Sequence, residues 1–216
     1  MNVTYNEEFN ILTVKNIFDK DINKKMLDEA IQLKDFYKPA TISDDAKIVE
    51  DYRTNDVAFL DDIFIGKRNN SDILKNIDNT LSGSEVSGIL NSTTEPLGLL
   101  ASTNYNETQV SRYGNNGQEY KFHKDKFNNK KRMLTMVYYM SREPKKYTGG
   151  DIIFTKSPIL KDGSLLDENI SSIKMTPENN MAVFFSSSLV HGVMPTKSPT
   201  EFGDGRFSIN CWIGRR

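Results

Sequence analysis

The sequence predicts a mainly β protein with N-terminal helices, an α+β fold class, in which strands of the C-terminal half form a sandwich or barrel. Beyond residue 108, short runs rich in β-branched and aromatic residues alternate with Gly, Asn and Pro. Before it, apolar residues recur at helical spacing. The eight predicted strands cover 108–113, 120–125, 133–140, 151–155, 170–175, 181–186, 192–195 and 206–213.

The N-terminal half is expected to begin with a short strand at 11–14 and a helix over 19–33. Ser71 is a good N-cap for a second helix that ends before Gly83, with Ile73, Leu74, Ile77 and Leu81 on its apolar side. These helices need an apolar surface, so we expect them to pack on the outer face of the sheet. The predicted organisation is a helical and strand region, 1–105, and a domain, 106–216, that together form one structural unit.

Composition narrows the functional classes. Hydrophobic residues make up 37% of the 216 residues, enough for a core, and the net charge of -1 carries no signature of nucleic-acid binding. One cysteine excludes an intrachain disulfide and favours a reducing, cytoplasmic setting. We see no signal-like N-terminus and no apolar run of the ~20 residues that a membrane span needs, so no membrane partner is expected. The oligomeric state is not indicated.

The chain contains two histidines, and both stand in patterns that suit a metal site. His123 and Asp125 are two positions apart in a predicted strand, where alternate residues face the same side. His191 comes from a remote segment. Two imidazoles and one carboxylate form the facial triad of non-heme Fe(II) oxygenases. The alternative, two unrelated histidines, is disfavoured by the surrounding pattern.

The last predicted strand has one polar and one apolar face. Alternation places Arg206, Ser208, Asn210 and Trp212 on one face and Phe207, Ile209, Cys211 and Ile213 on the other. A guanidinium can hold a carboxylate through two parallel hydrogen bonds, so Arg206 is a candidate for binding an anionic ligand. The alternative for Arg206 is a surface ion pair. Cys211, on the apolar face, is predicted to be a core residue rather than a nucleophile.

An ordered set of motifs runs through the C-terminal half. It comprises Arg112-Tyr113-Gly114, Gly117, Tyr120, His123-Lys124-Asp125, Arg132, Thr135, Tyr138-Tyr139-Met140, Gly149-Gly150-Asp151, Phe154, Phe185, His191-Gly192-Val193-Met194-Pro195, Arg206 and Trp212. With these residues, the segment 110–212 resembles the catalytic domain of 2-oxoglutarate- and Fe(II)-dependent oxygenases, specifically the prolyl 4-hydroxylase-like branch. The N-terminal half is similar only in outline.

The resemblance implies a double-stranded β-helix, a jelly-roll, cupin-like barrel. It implies Fe(II), 2-oxoglutarate and O2 as cofactor and co-substrates, with ascorbate as an additional candidate. The implied metal ligands are His123, Asp125 and His191. Arg206 is the implied partner of the distal carboxylate of 2-oxoglutarate, and Tyr139, Tyr113 and Trp212 are the further implied residues of the co-substrate pocket and metal surroundings; which tyrosine dominates stays open.

One departure from the family pattern concerns the position of Arg206, which follows His191 at a longer distance than the family usually shows. The residues between, 197–205, are expected to form a long hairpin loop, and lengthening a loop costs little free energy. Lys197 is the rival cation, but it lies at the start of that loop, too near His191 to belong to the next strand.

The implied reaction is hydroxylation of an unactivated C–H, with release of succinate and CO2. Similarity to the branch makes a peptidyl proline the first expectation, in a peptide or protein substrate. The alternatives are a small molecule, such as a free amino acid or nucleotide, and a catalytically silent barrel that serves as a binding module. Two polar segments, 41–55 and 126–131, are candidates to close over the substrate.

Overall fold

Two facing antiparallel β-sheets form the framework of the protein, and helices cover the outer face of the larger sheet. The computed structural model describes residues 1–41, 52–93, 97–98, 105–115, 117–126 and 129–214. Residues 42–51 of the predicted closing segment 41–55, and residues 127–128 of the segment 126–131, therefore lie outside the described residues. No helix in the described ranges is long and apolar enough to cross a bilayer.

The strands in these ranges are β1 (Asn2–Asn6), β2 (Ile11–Lys15), β3 (Lys38–Pro39), β4 (Asp56–Phe59), β5 (Tyr105–Tyr113), β6 (Gln118–His123), β7 (Arg132–Met140), β8 (Thr148–Gly149), β9 (Ile152–Thr155), β10 (Ser172–Met175), β11 (Met181–Ser186), β12 (Val190–Lys197) and β13 (Arg206–Gly214). The larger sheet has the order β1-β2-β11-β7-β13-β5-β4-β3, and the smaller has β10-β9-β12-β6, with β8 paired to β12. Neither sheet closes on itself, so the predicted jelly roll is an open, two-sheet double-stranded β-helix.

Among the helices whose bounds fall in the described ranges are α1 (Lys20–Gln32), α2 (Leu60–Ile63), α3 (Asp72–Ser82) and α4 (Ser84–Asn91), with 3-10 turns at Leu33–Phe36, Arg68–Asn70 and Phe202–Asp204. Ser71 caps α3 as predicted, because its Oγ accepts a hydrogen bond from the Leu74 N–H at 3.0 Å. The Glu29 carboxylate of α1 accepts from the Ile73 N–H at 2.8 Å and satisfies a second amide of the first turn of α3.

The apolar face of β13 packs against these helices. Phe207, Ile209, Cys211 and Ile213 lie in one buried cluster with residues of α1, α3 and α4. The expected covering of the outer sheet face is confirmed. This cluster contains residues from both sides of position 105, the predicted boundary and the first residue of β5. The division into 1–105 and 106–216 stays a prediction.

A second core lies between the sheets. Val137, Tyr139 and Phe185 of the larger sheet pack against Ile152 and Phe154 of the smaller one. This apolar layer fills one end of the space between the sheets. The polar residues of β13 face the same space, and it is there that the candidate site lies.

Several elements differ from the sequence-based expectations. Strand β6 ends at His123, so Asp125 follows the strand in a turn instead of lying on it. The predicted strand 192–195 extends over Val190–Lys197 and contains His191. Four strands, β1, β3, β4 and β8, and the helices α2 and α4 were not predicted. Strands β3, β4 and β8 have at most four residues, and β1 is an edge strand without buried residues, so none offers a hydrophobic periodicity.

Candidate active site

Three buried side chains converge between the sheets. The ligand-type atoms of His123, Asp125 and His191 all lie within 4.8 Å of one another. His123 and His191 face each other in register on β6 and β12, and their Nε2 atoms each lie 3.6 Å from an Asp125 carboxylate oxygen. The structure therefore brings together the three residues that the sequence predicted as metal ligands. Two nitrogens and one carboxylate oxygen at this spacing suit a divalent transition metal such as Fe(II).

The orientation of both imidazoles is fixed by the backbone. Each Nδ1 lies 2.9 Å from a carbonyl oxygen two residues earlier, of Lys121 for His123 and of Leu189 for His191. Since a carbonyl only accepts, each Nδ1 donates, and the proton-free Nε2 faces the Asp125 carboxylate. Burial and the neighbouring His123 lower the pKa of His191 to about 4. A neutral imidazole is the form that ligates a metal.

Asp125, in the turn after β6, is held by a residue of another strand. Its Oδ2 accepts a hydrogen bond from the Thr135 hydroxyl on β7 at 2.7 Å, and Thr135 also contacts the Ser187 hydroxyl at 2.9 Å. Burial raises the pKa of Asp125, but His191, His123 and Thr135 outweigh it and hold the pKa well below its usual value. The carboxylate is thus ionised. The prediction that strand alternation places Asp125 beside His123 is wrong, because a turn and the hydrogen bond from Thr135 orient the carboxylate.

A buried cation lies between the same two sheets. Arg206 is 1% exposed, and its Nε donates to the Gly150 carbonyl oxygen at 2.9 Å. The guanidinium carbon lies 4.7 Å from the ring centre of Tyr113 and 5.1 Å from that of Tyr139. The Nη1 atom of Arg206 has no hydrogen-bond partner among the described residues. Lys197, by contrast, is exposed, so of the two candidate cations only Arg206 is buried between the sheets.

Two hydroxyl groups beside Arg206 are also buried and lack a partner of ordinary hydrogen-bond geometry in the described residues, those of Tyr139 and Thr196. The Thr196 hydroxyl adjoins Arg206, since a Cβ placed on Gly150 would lie 2.5 Å from Arg206 Cδ and 2.9 Å from Thr196 Oγ1. Burial raises the pKa of Tyr139, so its hydroxyl stays protonated. The Nη1 of Arg206 and these two hydroxyls are three donors without a partner in the described residues, and such a set fits a carboxylate ligand.

Thr196 and Tyr147 were not predicted from the sequence as residues of this site. Simple alternation from His191 places Thr196 on the opposite face, but the pairing of β12 with β6 changes register on both sides of Val193, and these irregularities turn Thr196 inward. Tyr147 is 2% exposed, and the Arg206 guanidinium opposes the rise that burial causes in its pKa. The residue precedes a two-residue strand and no sequence pattern marks it.

Trp212 lies at the other end of the candidate site. It pairs in register with Thr135, the residue that holds Asp125. The Arg132 guanidinium carbon lies 3.7 Å from the Trp212 ring centre, and Arg132 Nη2 forms a 2.7 Å ion pair with Glu107. The expected proximity of Trp212 to the metal ligands is thus supported through Thr135.

Tyr138 and Tyr139 are consecutive residues of β7, and their side chains face opposite sides of the sheet, as alternation along a strand requires. Tyr139 faces Arg206, whereas Tyr138 lies in the outer core, where its hydroxyl donates to Asn23 at 2.6 Å. Cys211 is buried in the same outer core, and burial raises the pKa of its thiol to about 12. The interpretation of Cys211 as a core residue is confirmed.

Comparison with known proteins identifies the family of this site. Residues 108–214 match the model of the 2OG-Fe(II) oxygenase superfamily. A curated relative, an uncharacterised PKHD-type hydroxylase of Synechocystis, is 33% identical over 105 residues, which are 47% of this chain. The chain spans about a third of that relative's length, 34%.

Solved structures of low sequence identity share the fold. A prolyl hydroxylase of Trichoplax adhaerens, in complex with a peptide fragment of the hypoxia-inducible factor oxygen degradation domain, matches with a TM-score of 0.70 at 16% identity over 95% of this chain and 84% of that one. A prolyl-4-hydroxylase of Pseudomonas putida matches with a TM-score of 0.65 at 18% identity over 95% and 92% of the two chains. The predicted double-stranded β-helix is confirmed.

Proposed function

We propose, from the premise that residues 108–214 belong to the 2OG-Fe(II) oxygenase superfamily, that this protein is a dioxygenase that hydroxylates an unactivated C–H and releases succinate and CO2. One observation carries the proposal: a buried triad of metal-ligand type lies between the same two sheets as a buried guanidinium whose Nη1 has no partner in the described part of the chain. A silent binding module has no need for both.

His123, Asp125 and His191 would hold Fe(II), which supplies the oxygen chemistry when 2-oxoglutarate and O2 are bound. Arg206 would bind the distal carboxylate of 2-oxoglutarate, assisted by the hydroxyls of Tyr139 and Thr196. Gly150 contributes in two ways, because its carbonyl orients Arg206 and its missing Cβ leaves space for that side chain.

Aromatic rings pack against both histidines and fix their orientation. Tyr120 stacks on His123 with ring centres 3.5 Å apart, and Phe185 contacts His191 edge-on at 4.8 Å. Rings locked by packing and by Nδ1 hydrogen bonds present their Nε2 atoms in one orientation. A preorganised ligand set of this kind avoids the cost of ordering the ligands when the metal binds.

For the substrate, we propose a proline in a peptide. The prolyl hydroxylases of Trichoplax adhaerens and Pseudomonas putida share the fold, and the first of these is seen with a peptide. Hydroxylation of a free amino acid or another small molecule is the second candidate. The single, buried Cys211 is compatible with the cytoplasmic setting that we propose for the reaction.

The test is succinate formation by purified protein supplied with Fe(II), 2-oxoglutarate and O2, with and without a library of proline-containing peptides. Mass spectrometry of the peptides should show one added oxygen, in step with succinate. If 2-oxoglutarate is turned over with a small metabolite and no peptide gains oxygen, the small-molecule candidate replaces the peptide. If no O2-dependent succinate forms, the enzyme proposal fails.

A further inference from the structure

Two buried polar groups on the inner face of the larger sheet remain without hydrogen-bond partners in the described part of the chain. They are the indole Nε1 of Trp212 and the side-chain Oε1 of Gln109. Trp212 is 4% exposed and Gln109 is 0% exposed. Leaving such groups unpaired in the interior is costly, so native proteins usually satisfy them, and a ligand is one means of doing so.

Both groups face the space in which the metal ligands lie. Gln109 pairs in register with Asn210, which is two residues before Trp212 on β13 and therefore on the same face. Trp212 pairs with Thr135, whose hydroxyl donates to Asp125 at 2.7 Å. Arg206 lies six residues away along the same face of β13, so these two groups stand apart from the proposed 2-oxoglutarate pocket.

Trp212 offers a hydrogen-bond donor and Gln109 an acceptor. An indole N–H can only donate. The Nε2 of Gln109 donates to the Ser111 hydroxyl at 3.2 Å, which leaves Oε1 as an acceptor. The sheet therefore offers one neutral donor and one neutral acceptor on neighbouring strands, complementary to a group that has both a carbonyl oxygen and an N–H.

The charged groups at this end of the sheet neutralise each other. Arg132 lies over the Trp212 ring and forms its ion pair with Glu107, with Nε also 3.3 Å from the second carboxylate oxygen. A bidentate guanidinium of this kind is not free to bind a substrate carboxylate. Recognition at Trp212 and Gln109 thus favours an uncharged polar group over a carboxylate or an ammonium.

We infer that Trp212 and Gln109 form a subsite for a neutral amide of the substrate, such as a peptide group, with the indole donating to its carbonyl oxygen and Gln109 accepting from its N–H. The inference rests on the proposed function and narrows it, because a peptide provides this group whereas a free amino acid carries charges in its place. Trp212 and Gln109 would then select blocked, peptide-linked substrates.

The sole tryptophan of the chain reports directly on this subsite, because it is Trp212 itself. Protein loaded with Zn(II) and 2-oxoglutarate would be titrated with three matched probes: neutral N-acetyl-L-proline methylamide, anionic N-acetyl-L-proline and zwitterionic L-proline. Tryptophan fluorescence is measured with excitation that spares tyrosine. We expect a saturable change with the neutral probe and at least about tenfold weaker binding of the other two, since charges without partners are poorly accommodated.

Gln109→Leu keeps the reporter and removes the acceptor. It should weaken binding of the neutral probe about five- to tenfold, as expected for one hydrogen bond between neutral groups. The control is Thr108→Val, the adjacent and equally buried residue of β5, whose side chain contacts Cys211 on the opposite face. It should leave the affinity within about twofold, because only the inner face contacts the probe.

Three results would overturn the inference: no saturable change with the neutral probe, equal affinity for L-proline, or equal effects of Gln109→Leu and Thr108→Val. Succinate formation by the same preparation separates this inference from the proposed function. A preparation that forms succinate but does not bind the neutral probe overturns only the amide subsite. One that binds the probe but forms no succinate under Fe(II) and O2 contradicts only the proposed function.

Discussion

Replacing Arg206 by alanine should sharply weaken the use of 2-oxoglutarate. Arg206 is 1% exposed and is oriented by the Gly150 carbonyl. Among the described residues, its Nη1 and the nearby hydroxyls of Tyr139 and Thr196 have no hydrogen-bond partner. In the alanine variant the bound carboxylate would lose its only charged partner among the described pocket residues, while burial still deprives it of water.

The magnitude follows from this burial. Truncating one partner of a buried, hydrogen-bonded charge pair costs ~2–5 kcal/mol, equivalent to an increase of about 30-fold to several thousand-fold in the apparent KM for 2-oxoglutarate. Arg206→Lys keeps the positive charge but loses the planar fork, so its effect should be smaller than that of Arg206→Ala.

The assay is succinate formation over a range of 2-oxoglutarate concentrations, with thermal unfolding of each variant as a check on folding. Lys197→Ala is the matched control, because Lys197 belongs to β12, is exposed and was the rival cation. It should change the apparent KM by less than about twofold, as expected for an exposed charge. Equal effects of Arg206→Ala and Lys197→Ala would refute the assignment.

Three further outcomes test neighbouring parts of the site. Tyr139→Phe should raise the apparent KM for 2-oxoglutarate less than Arg206→Ala, about three- to tenfold, because one hydrogen bond is lost; a larger effect than Arg206→Ala would contradict the pocket. Thr135→Val should weaken metal affinity about 10- to 100-fold in a calorimetric titration, because Asp125 loses the bond that aims it; unchanged affinity would contradict that role. Cys211, with its pKa raised to about 12, should react with a thiol reagent only after unfolding, and rapid labelling of the native protein at neutral pH would contradict its burial.

The residue pattern was sufficient to predict those parts of the molecule that depend on local periodicity. The alternation of β13 correctly separated Arg206 and Trp212, which face the site, from Phe207 and Cys211, which face the helices. The helical spacing and N-cap of α3 were also visible, because capping and amphipathicity are properties of a few adjacent residues. The prediction that His123 and His191 lie side by side depended on a motif and not on periodicity.

Other parts of the site depend on contacts that no local pattern specifies. Asp125 follows its strand, and its position is set by Thr135 on a different strand. Thr196 turns inward through register irregularities in β12, which overrule a strict period of two. Gln109 is a polar residue in the middle of a strand. Its proposed role in substrate binding can be inferred only from the pairing of β5 with β13, which brings it near Trp212.

A calorimetric titration of the metal-free protein with Fe(II) under anaerobic conditions tests whether His123, Asp125 and His191 bind the metal. The account predicts one ion per chain and its loss in each of the variants His123→Ala, Asp125→Ala and His191→Ala, because the three ligand atoms lie within 4.8 Å of one another. Binding of other divalent ions at the same stoichiometry is also expected, since nitrogen and oxygen ligands do not select iron by affinity alone. Fe(II) binding that persists undiminished in any of the three correctly folded variants would contradict the account.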